Sequence, residues 1–158
     1  MRSVTWLLVI PCLLLSSACG FKLRGAVNLP DNVEPVAIER NNSFELARDI
    51  RQLLDTNDVT YTDKPGSAKT VISLISESRN RRLLSVDGSG QASEYLLQYR
   101  VTYSLQHASF KTTEYMASQQ RSIVFNTATV LAVDNESEII YREMRREVAR
   151  LILIRLEA

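Results

Sequence analysis

The chain has almost none of the side chains that carry chemistry. Its 158 residues include two cysteines and one histidine, His107. Covalent and acid–base catalysis need a nucleophile held beside a base, and metal sites need clustered ligands; neither constellation occurs in the sequence. A basic excess is also missing, since 19 Lys and Arg stand against 18 Asp and Glu, whereas nucleic-acid binders concentrate positive charge. No apolar run reaches the roughly 20 residues that a membrane-spanning helix needs: the longest, Val4 to Leu15, is shorter and is broken by Pro11. These absences argue against an enzyme, a cofactor or metal protein, a partner among nucleic acids and a helical membrane span.

What stands at the start is the three-part pattern of a secretory signal, with charged Arg2, the apolar run, and small Ser16, Ser17 and Ala18. Leu15-Ser16-Ser17-Ala18-Cys19 resembles the lipobox of bacterial lipoproteins, with Ser16 where a leucine is usual. Residues 1–18 are therefore expected to be removed, and Cys19 to become the lipidated first residue. Cys12 leaves with the signal, so no disulfide remains although the compartment would permit one. Arg2 is the one charged residue removed, which leaves 18 basic residues against 18 acidic and a neutral mature chain. Two or more acyl chains anchor a protein stably, at about 0.8 kcal/mol per buried methylene. Gly20, where aspartate would favour inner-membrane retention, points to the outer membrane.

Residues 19–32 read as a lipidated N-terminus and an extended lead, and 33–158 as one domain. Val33 to Arg40 alternates as a strand. Asn42 and Glu45 have capping-box spacing before Phe44, Ala47, Ile50, Leu53 and Leu54, which recur at helical intervals. Val59 to Thr62 follows as a short strand, completing a parallel βαβ start. Thr70 to Arg79 is a further strand. Tyr95, Leu97, Tyr99, Val101, Tyr103 and Leu105 then share one face of a long strand, with polar residues on the other. His107 to Thr113 turns the chain into another strand, Glu114 to Phe125. Asn135 and Glu138 repeat the capping spacing at the start of a final helix lined by Ile140, Met144, Val148, Leu151 and Ile152. Its arginines, Arg142, Arg145, Arg146, Arg150 and Arg155, read as a solvated face. The expected fold is α+β: a two-layer sandwich, with two helices packed on one face of a four-stranded mixed sheet.

Candidate chemistry is confined to binding. Gly88-Ser89-Gly90 is followed by a strand pattern and not by a helix, so it predicts a hairpin tip and not a phosphate-cradling helix start. Arg79, Arg81 and Arg82 lie upstream, with Leu83 and Leu84 between them and the tip. Guanidinium groups bind phosphate bidentately and the leucines suit acyl chains; arginines at a sheet edge also discourage aggregation. Asp134, Glu136 and Glu138 complement a helix dipole.

Three segments in this order resemble one family, the lipopolysaccharide-assembly lipoprotein LptE: Cys19-Gly20-Phe21-Lys22-Leu23-Arg24-Gly25, Gly90-Gln91-Ala92-Ser93-Glu94-Tyr95, and Ala132-Val133-Asp134-Asn135-Glu136. The resemblance implies a plug within the β-barrel partner LptD that assists its assembly and lipopolysaccharide transport to the outer leaflet. It also implies contact with lipopolysaccharide through basic residues near the loop before the long strand and near the start of the last helix. Around Gly88 and Val133 this chain is uncharged, which leaves Arg79, Arg81 and Arg82 as the ligand-binding candidates, and Gly88, Gly90 and Gln91 as a partner or ligand loop. Read without the resemblance, the residues also fit a stand-alone lipid-anchored periplasmic module that binds a lipid or cell-wall fragment.

Overall fold

The computed structural model describes residues 29–30, 32–107, 110–124 and 130–157, with backbone alone at 110 and 130–133. The expected secretory segment, Cys19 and the first family segment lie outside the described residues. Strand β1 (Val36–Arg40) leads into helix α1 (Phe44–Thr56) and the two-residue strand β2 (Tyr61–Thr62). Three long strands follow, β3 (Thr70–Val86), β4 (Ala92–His107) and β5 (Phe110–Val124), and then helix α2 (Val130–Glu157). The sheet order is β2-β1-β3-β4-β5. β1 runs parallel to both its neighbours, and β3, β4 and β5 form the expected antiparallel meander.

The α+β, two-layer arrangement is as the sequence predicts, but the sheet has five strands, not four. Tyr61 and Thr62 pair with Val36 and Ala37 and so add β2 as a short outer edge. β3 also runs seven residues past Arg79. Its distal part has little apolar alternation to announce it, and it is extended because β4 supplies partners as far as Val86↔Ala92. At the other end His107 pairs with Phe110, so most of the expected seven-residue turn is strand.

Both helix starts differ from the capping-box reading. Ser43, not Asn42, caps α1, and no side chain closes the cap. With Phe44 as the first helical residue, its ring stands at the rim, exposed under the Arg40 guanidinium, while Leu46, Ala47, Ile50 and Leu54 turn inward. α2 begins at Val130, so Asn135 and the Ala132–Glu136 segment lie within its first turns and not before it.

The core joins these inward residues to Val36, Ile72 and Leu74 of the sheet and to Tyr141, Met144, Val148, Ala149, Ile152 and Leu153 of α2. The odd-numbered face of β4 is its centre: Leu97, Tyr99, Val101 and Tyr103 are buried, with Tyr95 and Leu105 at its margins. Each fully buried side chain of this size contributes about 1.5–3 kcal/mol, which fixes the register, because a one-residue slip would expose the whole set. Both helices therefore cover one face of the meander. Among the described residues no element covers its other face.

Candidate functional site

Strand alternation separates the three candidate arginines. Arg79 and Arg81 pair with Tyr99 and Leu97, on the helix-covered face. Their guanidinium groups are already engaged: Arg79 Nη1 donates to Glu138 (3.1 Å) and lies over the Tyr141 ring, and Arg81 Nη1 donates to Asp134 (2.9 Å) and lies over Tyr95. Two of the three acids expected to complement the helix dipole, Asp134 and Glu138, thus clamp α2 to the distal half of β3. Tyr141 extends the clamp, its hydroxyl donating to the Asn80 carbonyl (2.9 Å). That half of β3 has no β1 alongside it, so arginines and a tyrosine occupy a sheet edge, where edge protection is needed.

Arg82 is opposite Leu96 and faces the open side. With Asn80 of the same strand, Leu96, Gln98 and Arg100 of β4 and Gln120 of β5, it lines a depression of about 250 Å³. Arg100, absent from the sequence-based candidates, is recognisable once β4 is aligned, since it shares the polar parity of Gln98 and Thr102. Further along, Ser76, Ser78, Thr102 and Ser118 continue a hydroxyl-rich surface, with exposed Met116 among them.

The tip is a built turn. Asp87 Oδ1 accepts from the Ser89 hydroxyl (2.7 Å) and from the backbone amides of Ser89 (2.9 Å) and Gln91 (3.0 Å). The Ser89 hydroxyl, foremost, and these amides hold the Asp87 carboxyl below the usual carboxylate range. Gly90 has φ +80°, a left-handed conformation that glycine adopts freely. A β-carbon at Gly88 or Gly90 would meet open space, and Gln91 is exposed. Leu83, Leu84 and Val86 are exposed just behind the tip.

A second polar cluster, in the interlayer, was not evident from the sequence. Arg145, expected to be solvated, is 3% exposed. Its Nε donates to Asp49 Oδ2 (2.7 Å), itself 6% exposed, and its Nη1 pairs with Glu45. Burial alone would lower the Arg145 pKa, but the Asp49 hydrogen bond and the charges of Asp49 and Glu45 raise it on balance. Nearby, the fully buried Tyr99 donates its hydroxyl to Glu77 Oε1 (2.8 Å), and burial, aided by that acceptor, pushes its pKa far up. These groups tie the helices to each other and the core to its rim; they do not pair a nucleophile with a base. Among the described residues no helix is long and apolar enough to cross a membrane.

Comparison with known proteins gives one consistent result. The family model described as LptE, lipopolysaccharide-assembly, matches residues 32–156. The LPS-assembly lipoprotein LptE of Photorhabdus laumondii is 32% identical over 156 residues, covering 98% of this chain and 85% of that protein. The protein of the same name from Yersinia enterocolitica is 27% identical over 155 residues, covering 97% of this chain and 75% of that one. Among solved structures, rare lipoprotein B from Shewanella oneidensis superposes with a TM-score of 0.69 at 28% identity, over 75% of this chain and 89% of that one. Lipoprotein B from Nitrosomonas europaea gives 0.67 at 28% identity, over 88% and 91%.

Proposed function

This chain belongs to the lipopolysaccharide-assembly family LptE, and from that premise we propose that it is an outer-membrane lipoprotein, anchored through Cys19, that occupies the lumen of the β-barrel LptD and assists lipopolysaccharide transport to the outer leaflet. The family is named for assembly and not for a catalysed reaction, in keeping with a chain read as a non-enzyme.

The observation that carries the barrel reading is the open sheet face. Three strands of 17, 16 and 15 residues present Ser76, Ser78, Asn80, Gln98, Thr102, Ser118 and Gln120 in adjoining rows. Such a surface is poorly suited to burial in an apolar core, where each unpaired polar group costs about 1–3 kcal/mol. It suits the polar, water-filled interior of a large barrel, where its hydroxyl groups exchange hydrogen bonds with wall residues and trapped water. The tip at Gly88, Gly90 and Gln91, with the exposed leucines behind it, meets the barrel or the lipopolysaccharide in transit; Arg82 lies on the open face.

A photo-crosslinking residue in place of Thr102 or Ser118 tests this. Crosslinks from both positions to a large outer-membrane barrel are expected. Absence of barrel adducts from every open-face position, in cells that make the lipoprotein normally, would leave the stand-alone binding module as the better reading.

A further inference from the structure

We propose that the depression lined by Asn80, Arg82, Leu96, Gln98, Arg100 and Gln120 is a phosphate-binding site for phosphate monoesters. The proposal deepens the lipopolysaccharide contact suggested above and rests on that reading only for the source of the phosphate.

Among the described residues, the arginines and the histidine that line the other two clefts already have partners. In the cleft beside the start of α1, Arg79 meets Glu45 and Glu138. In the cleft at the far end of the sheet, Arg155 lies over Tyr115, and His107 Nε2 is 3.1 Å from the Asn32 carbonyl. Arg82 and Arg100 differ. Among the described residues no carboxylate lies within ion-pairing distance of either. The acids on this face stand elsewhere: Glu94 is one row towards the tip, and Glu39 and Glu114 are at the opposite end of the sheet.

The register places the Asn80–Gln98–Gln120 row between the rows that carry Arg82 and Arg100. Two guanidinium groups thus flank three carboxamides across one shallow concavity. Each guanidinium offers five N–H donors in a fixed fork and each carboxamide two more. A phosphate monoester answers with three terminal oxygens and about −1.5 to −2 charge, more acceptors and more charge than a single carboxylate. Leu96 supplies the apolar floor on which a sugar or other esterified group can rest.

The test uses the full-length lipoprotein in neutral detergent. Titration with inorganic phosphate is expected to shift the guanidinium resonances of Arg82 and Arg100 saturably, and those of exposed Arg142 and Arg146 little. Arg82→Ala with Arg100→Ala should weaken retention of lipopolysaccharide micelles at least about tenfold, the change expected from losing one or more charge-assisted hydrogen bonds. Gln98→Glu sets a carboxylate between the two arginines and should weaken binding of both probes without touching the core. Phosphatase-treated lipopolysaccharide should bind the unmodified protein as weakly as intact lipopolysaccharide binds the double variant. If inorganic phosphate binds but lipopolysaccharide does not, the site stands and its source is another monoester. Wild-type phosphate binding in both variants, equal shifts at Arg142 and Arg146, or, where intact lipopolysaccharide does bind, indifference to phosphatase treatment would each overturn the proposal. Phosphate binding without any barrel partner would instead remove the barrel reading and leave this site.

Discussion

Arg145 shows how a single residue can escape a sequence reading. It sits among arginines that look like a solvated stripe, yet it is four residues beyond Tyr141 and three before Val148, both core positions, so the helix turns it inward. Its partners come from α1, about a hundred residues away in sequence, which is why no local pattern announces it. Removing one member of a buried pair leaves an uncompensated charge and typically costs about 3–5 kcal/mol. Arg145→Met is accordingly expected to lower stability by that amount in urea unfolding, and adding Asp49→Leu to recover most of it. Additive losses in the double variant would show that the two residues are not coupled.

Asp87 offers a test by pH. Because its folded pKa is lowered from the ordinary aspartate value of 3.8, its contribution to the turn is present above the unfolded pKa and is lost as pH falls through the lower folded value. In an NMR titration the Asp87 carboxyl should reach its midpoint below 3.8, and the amides of Ser89 and Gln91 should keep their native shifts until that point. A midpoint at or above 3.8 would mean that the three-donor turn does not persist in solution.

At the scale of elements, β4 was legible because alternation with period two survives in the residues themselves: from Tyr95 to Leu105 one parity is aromatic and aliphatic, and the other is polar apart from Leu96. Tyr99→Asp should therefore destabilise the domain by about 3–5 kcal/mol, through lost aromatic burial and an unpaired charge next to Glu77. Thr102→Ser, on the open face of the same strand, should change stability by less than about 0.5 kcal/mol. Comparable losses at both positions in thermal or urea unfolding would contradict the register. The distal half of β3 was not legible, because most of its residues are exposed and its strand character depends on pairing with β4. The starts of both helices were misplaced for a related reason. Asn42 and Asn135 have the right spacing to an acid, but Glu45 and Glu138 reach across to arginines and not back to a cap.

For the molecule as a whole, the sequence showed the layers but not which side chains share a surface. Arg79, Arg81 and Arg82 look like one cluster in the chain. The structure sends the first two to the helix-covered side, where acids engage them, and the third to the open side with Arg100. Period-two alternation would have separated them once β3 was known to continue, and that continuation was the missing fact. The N-terminal reading makes its own prediction: Cys19→Ala should yield an unprocessed precursor or an unanchored protein, and mass spectrometry that still finds acyl chains on that variant would refute lipidation at this residue.

The barrel assignment is tested most directly by isolating the full-length lipoprotein from outer membranes in mild detergent and identifying by mass spectrometry what remains bound. The predicted result is a large β-barrel, LptD, in near-equimolar amount and retained through size-exclusion chromatography. A lipoprotein that elutes alone from membranes in which LptD is present would contradict it.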